Sequence, residues 1–167
     1  MPEKPPYLIL ATPAFGGQVM GPYVSSVLKL QLACRRRGLK FNVLVHHGDA
    51  LVQRARQDLV ARFLHQEEAT HLLFVDADIG FEPEQAFRLL DFGADFAAAV
   101  YPLKWMNPEG LKALAREGKG RPDAAALSYV FEPEEAGRQQ VRDGFTRVRF
   151  AGTGFLMVRR EALLSMM

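Results

Sequence analysis

Cysteine is nearly missing: Cys34 is the one thiol among 167 residues. A disulfide scaffold is therefore excluded. No apolar run reaches the ~18–20 residues of a membrane span. The candidate runs around Tyr7–Ala11 and Leu72–Val75 are strand-sized. Neither sign of charge dominates, since 21 Lys and Arg against 19 Asp and Glu leave +2. That balance offers no basic footprint for nucleic acid. The opening Met-Pro-Glu-Lys-Pro-Pro lacks the apolar stretch of a secretory signal. One thiol and no signal make a cytoplasmic location the expectation. What remains is globular composition, 49% hydrophobic, which excludes disorder as the main state.

The apolar pattern alternates strands and helices. Tyr7–Ala11 reads as a buried strand, and Thr12-Pro13-Ala14-Phe15-Gly16-Gly17 as the loop that ends it. A helix is expected from about Pro22, with Val24, Val27, Leu28 and Leu32 as its apolar stripe. Arg35-Arg36-Arg37-Gly38 suits its C-terminal end. Phe41–Val45 is a second strand, followed by a loop at His46-His47-Gly48-Asp49. Asp49 is placed to cap a helix that turns Val52, Ala55, Leu59 and Phe63 inward. His71–Val75 is a third strand. Pro83 opens a third helix, with Ala86, Phe87 and Leu90 inward, and Asp95–Tyr101 is a fourth strand. This order predicts an α/β fold with a mostly parallel central sheet flanked by helices. Past Tyr101 the pattern weakens. Met106–Arg121 reads as a mobile loop or short helix, and Gly118-Lys119-Gly120 as a flexible turn. Leu127–Phe131, Phe145–Phe150 and Phe155–Val158 read as short strands, and a helix begins at Arg160.

The segment with most chemistry is His71-Leu72-Leu73-Phe74-Val75-Asp76-Ala77-Asp78. Residues two apart on a strand point the same way. Ligands of such sheets bind outside the carboxyl ends of the strands. Two hard oxygen ligands there suit Mg²⁺ or Mn²⁺ bridging to substrate phosphates. The structural alternative has Asp76 capping a turn and Asp78 capping the helix near Pro83.

Three segments, in this order, resemble the GT-A fold nucleotide-diphospho-sugar transferases, a Rossmann-like group, close to family 2 glycosyltransferases. The first is Thr12-Pro13 with Gly16-Gly17. The second is Arg54-Ala55-Arg56-Gln57, where relatives often carry Asn in place of Gln57. The third is Thr70–Phe81 with Ala98–Lys104 and then Ala151-Gly152-Thr153-Gly154-Phe155-Leu156-Met157-Val158-Arg159-Arg160. The resemblance covers nearly the whole chain. It implies one domain over 1–167, with a nucleotide-binding half at about 5–104 and a short acceptor-side segment at about 105–167.

The resemblance also assigns roles. Asp78 binds the metal, Mn²⁺ or Mg²⁺, with Asp76 on the same metal or on the ribose. Arg56 lies near the base or diphosphate, and Thr12 and Pro13 line the nucleotide pocket. Gly152, Thr153 and Gly154 sit near the sugar or acceptor, and Trp105 offers an aromatic face to a sugar or anchors its loop. The implied activity is transfer of a sugar from a nucleoside-diphosphate sugar to a carbohydrate, lipid or protein acceptor. The catalytic base of inverting relatives falls downstream of this glycine-rich segment, beyond Met167. A non-catalytic nucleotide-sugar-binding module is therefore the second reading. An Asp-x-Asp phosphohydrolase or a nucleotidyltransferase is the third. The apolar residues after Arg160 leave a homo-oligomer open. Among the remaining residues, His46 and His47 read as solvent-facing loop histidines, and Cys34 as a helix-packing residue.

Overall fold

Apolar residues suited to a pleated, buried surface form the first strand, β1, which runs Tyr7–Ala14. It is three residues longer than its apolar run, so Thr12 and Pro13 lie in the strand and not in a loop. β1 pairs in parallel with β2 (Lys40–His47) along its whole length. It pairs with β3 (His71–Val75) only over Leu8–Ala11. Beyond Ala11 one side of β1 is therefore unpaired, a setting in which the missing N–H of Pro13 is tolerated. The computed structural model describes residues 5–106, 127–129, 131–134 and 141–167.

The principal sheet has the order β2-β1-β3-β11-β4, with β4 at Phe96–Ala98 and β11 at Phe155–Arg159. β11 runs antiparallel to both β3 and β4. The architecture is α/β and the sheet is mixed, with the antiparallel β11 an addition that the expectation of a mostly parallel sheet did not include. The reason is topological. β11 comes from the far end of the chain and separates two strands that a βαβ unit places side by side. Local periodicity carries no trace of such an insertion.

Alternation divides the sheet into two buried faces. On one face Ile9, Ala11, Leu72 and Phe74 pack with Leu59 and Phe63 of α2 (Val52–His65). On the other, α1 (Gly21–Arg36) reaches β1 through Tyr23, whose Oη lies 2.7 Å from the buried Thr12 hydroxyl. α1 buries Tyr23, Ser26, Leu30 and Cys34, whereas Val24, Leu28 and Leu32 are exposed. Three of the four residues of the expected stripe thus face outward, and Val27 is half-buried. Hydrogen bonding admits the two polar residues to the core: Ser26 Oγ donates to Pro22 O and accepts from Phe81 N–H at 2.7 Å.

α3 (Pro83–Phe92) starts at a capping box in which Glu82 and Gln85 satisfy each other's backbone N–H groups. Its cap is Glu82, not Asp78. Gly93, at φ 70°, ends it. α4 (Arg160–Ser165) follows β11 directly. The Arg160 guanidinium donates to the carbonyls of Leu64 at 2.7 Å and Gln66 at 3.2 Å, tying α4 to the end of α2.

The chain divides into two compact units, Met1–Ala99 with Thr153–Met167, and Val100–Gly152. In the second unit β5 (Pro102–Met106) pairs with β6 (Leu127–Tyr129), and β7 (Phe131–Pro133) with β10 (Val148–Ala151). β8 (Val141–Arg142) and β9 (Phe145–Thr146) form a hairpin around Asp143-Gly144, both at positive φ. The two longer strands expected at Leu127–Phe131 and Phe145–Phe150 are each split. The readings of 107–121, including Gly118-Lys119-Gly120, lie outside the described residues. Among the described residues no helix is long and apolar enough to cross a membrane.

Candidate functional site

The C-terminal ends of β1 and β3 open into a cavity of about 570 Å³. Pro13, Phe15, Gly16, Gln18, Val19 and Met20 form one wall. Val52 at the start of α2 adds to it, and Asp76, Ala77 and Asp78 line it from the end of β3. The cavity is largely apolar, with Gln18 and the two carboxylates as its polar side chains. Its position is the one expected of ligand sites in α/β sheets.

Asp76 opens a tight turn, with Ile79 N–H donating to its carbonyl at 3.1 Å. Two further backbone bonds fix that turn. Asp76 N–H donates to Gly154 O at 2.9 Å, and Met20 N–H donates to Ala77 O at 2.8 Å. The paired aspartates are therefore anchored from β11 on one side and from the α1 entry on the other. Gly80 closes the turn against α1. A Cβ added there would stand 2.9 Å from Pro22 Cβ, so any side chain would force Pro22 to shift.

Arg56 of α2 donates from Nη2 to Asp76 Oδ1 at 2.7 Å. Its side chain is 20% exposed, and its Nε–H is buried without an acceptor among the described residues. The guanidinium carbon lies 5.9 Å from the Phe74 ring centroid. Half-burial strengthens this pair relative to a surface one. Asp76 is thereby engaged from within the protein, and Asp78 is the second carboxylate on the cavity wall.

The structure brings Pro13, Asp76 and Asp78 together at the cavity and places Arg56 and Gly154 in contact with Asp76. Thr12 lies beneath the cavity, fully buried, with its hydroxyl taken by Tyr23. Thr153 is half-buried and is not on the cavity wall. Gly152 belongs to the second unit, where the Tyr101 hydroxyl stands 2.5 Å from the place of a Cβ. The Trp105 backbone lies in β5, and its side chain falls outside the described residues. Phe15, Val19 and Met20 are cavity residues that sequence reasoning missed. They occupy the aperiodic stretch between β1 and α1, where no pattern marks which way a side chain turns.

A second polar cluster stands at the end of β2. His46 lies in the strand, not in a loop. Its Nδ1 is 2.8 Å from Asp58 Oδ2 and its Nε2 is 3.8 Å from Asp49 Oδ2. Asp49 accepts from Arg54 Nε at 2.6 Å and from Leu51 N–H at 2.9 Å. These bonds hold the Asp49 carboxyl below its ordinary pKa, the arginine first and the backbone N–H second. Asp49 thus shapes the entry to α2, whose cap residue is Leu51. Arg54, in the same motif as Arg56, serves this turn instead of the cavity.

Among the described residues no group of three or more His, Cys, Asp or Glu is placed to hold a metal ion by itself. A cation at Asp76 and Asp78 would complete its shell from substrate oxygens and water. Mg²⁺ bound through one or two carboxylates plus phosphates has that donor set, so the residues present fit the ion.

No protein-family model matches the chain. No curated protein matches it in sequence. A solved structure shares its fold. The crystal structure of A197 from STIV aligns with a TM-score of 0.53 over 93% of this chain, at 17% identity. The chain spans 65% of the length of that protein. At this identity the likeness concerns the α/β fold alone.

Proposed function

We propose that this chain is a nucleoside-diphosphate-sugar-binding domain of a metal-dependent glycosyltransferase. The observation that carries the reading is the pairing of Asp76 and Asp78 at a cavity on the carboxyl edge of the sheet, with Arg56 bonded to Asp76. A cavity this size has the volume of a small-molecule site, and its apolar wall with few polar groups has the usual chemistry of one.

Each residue has a role in that reading. Pro13, Phe15 and Val52 give the flat apolar walls that a nucleobase needs. Asp76 and Asp78 hold the divalent cation, Mn²⁺ or Mg²⁺, together with the diphosphate. When bound, the cation neutralises the charge that grows on the departing diphosphate. Arg56 orients Asp76 and adds positive potential at the same place. The backbone bond to Gly154 fixes the main chain at Asp76.

Binding without transfer is the second reading. It is favoured by the cavity wall itself, on which Asp76 and Asp78 are the acidic residues and both are assigned to the cation.

Thermal unfolding with UDP, GDP and CDP, each with Mn²⁺ or EDTA, tests the site. One nucleotide with Mn²⁺ should raise the Tm by about 5–10 °C at 100 times its Kd. Asp78→Ala should abolish the shift. Release of sugar from the matching donor then separates transfer from binding. The absence of any metal-dependent shift refutes the reading.

A further inference from the structure

We infer that the outer face of α1 docks on an anionic lipid surface. Val24, Leu28 and Leu32 are 42%, 56% and 56% exposed and recur every four residues. This spacing sets them on one side of a helix. Met20, four residues earlier and 56% exposed, continues the row. Met20 to Leu32 covers about 18 Å at the helical rise. Scattered apolar side chains on a surface carry no message, but a contiguous row does. The inner face of α1 is already used by Tyr23, Ser26, Leu30 and Cys34. The outer row is therefore not needed for folding.

Charge selects the occupant. α1 contains no acidic residue, and its last turn carries Arg35 and Arg36, both exposed. Lys29 and Arg37 point the other way, into ion pairs with Glu82 and Asp91. A second copy of the chain packing α1 against α1 about a two-fold axis through Leu28 would set Arg35 against the partner helix's N-terminus. Both are positive, and no carboxylate on the helix offsets them. An anionic headgroup layer accepts the arginines while the row of Met and aliphatic side chains enters the acyl boundary. Met20 also lines the cavity, so docking brings the cavity rim to the same surface. The inference goes beyond the nucleotide reading and does not depend on it.

Sedimentation with vesicles of phosphatidylglycerol, against vesicles of phosphatidylcholine alone, tests it. The wild-type chain should pellet with the anionic vesicles and be released by high salt. Leu28→Glu, at an exposed position, should weaken partition at least about tenfold with an unchanged thermal melt. Removing Arg35 and Arg36 should weaken it roughly fivefold per charge. Asp78→Ala should not lose vesicle binding, which separates this surface from the nucleotide site. Equal binding to neutral vesicles, or binding indifferent to Leu28→Glu, overturns the inference. So does a dimer in solution that Leu28→Glu dissociates while vesicles capture nothing.

Discussion

Cys34 is the residue at which two opposed effects meet. It stands beside a run of arginines, and Arg37 draws its pKa down, but burial prevails and pushes the thiol up to about 11. At pH 8 it is a protonated core thiol. A thiol reagent should label it only as fast as the chain unfolds, and urea should release that block. Asp49 shows the acid-side counterpart. Its carboxyl is depressed in the folded chain by Arg54 and the Leu51 N–H. A depressed acid stabilises above its unfolded pKa of about 4 and stops doing so as pH falls through the folded value. Urea melts of wild type and Asp49→Asn should therefore differ at pH 7 and converge below about pH 4. Gly80 tests packing alone. Gly80→Ala pushes a methyl against Pro22 and should cost about 1–3 kcal/mol in chemical denaturation. At this scale Asp76, Asp78 and Pro13 were legible, because carboxylates after an apolar strand and a proline break are local signals. Thr12 was not, because the hydroxyl of Tyr23 that claims it belongs to another element.

At the scale of elements, β3 and α2 follow their patterns closely. His71–Val75 is the strand expected, and of the expected inward face Ala55, Leu59 and Phe63 are buried, whereas Val52 is exposed at the cavity. α1 does not, because its buried side includes Ser26 and Tyr23, two polar residues whose partners lie on Phe81 and Thr12. Hydropathy alone gives the helix the opposite orientation. β11 is the larger departure, since its neighbours are chosen by tertiary packing and not by periodicity. Its junction with α4 depends on Arg160, which binds the last carbonyls of α2. Arg160→Met keeps the stem and deletes those bonds. It should lower stability by about 2 kcal/mol, and hydrogen exchange should rise in α2 near Leu64 before it rises in β1.

At the scale of the whole molecule, the α/β layering puts the ends of β1 and β3 side by side, and a largely apolar cavity with two carboxylates lies there. That juxtaposition is the basis of the functional reading, and the donor set makes a quantitative statement about it. Two carboxylates, one already bonded to Arg56, are a weak site for a cation on its own. The ion and the nucleoside diphosphate should therefore bind as a unit, each strengthening the other by the same factor. Manganese paramagnetic resonance measures this directly, by titrating Mn²⁺ with and without the nucleotide selected by thermal shift. The account predicts weak Mn²⁺ binding alone, at least tenfold tighter binding with nucleoside diphosphate, and loss of that gain in Asp78→Ala. Mn²⁺ binding indifferent to nucleotide, or to Asp78, would contradict it.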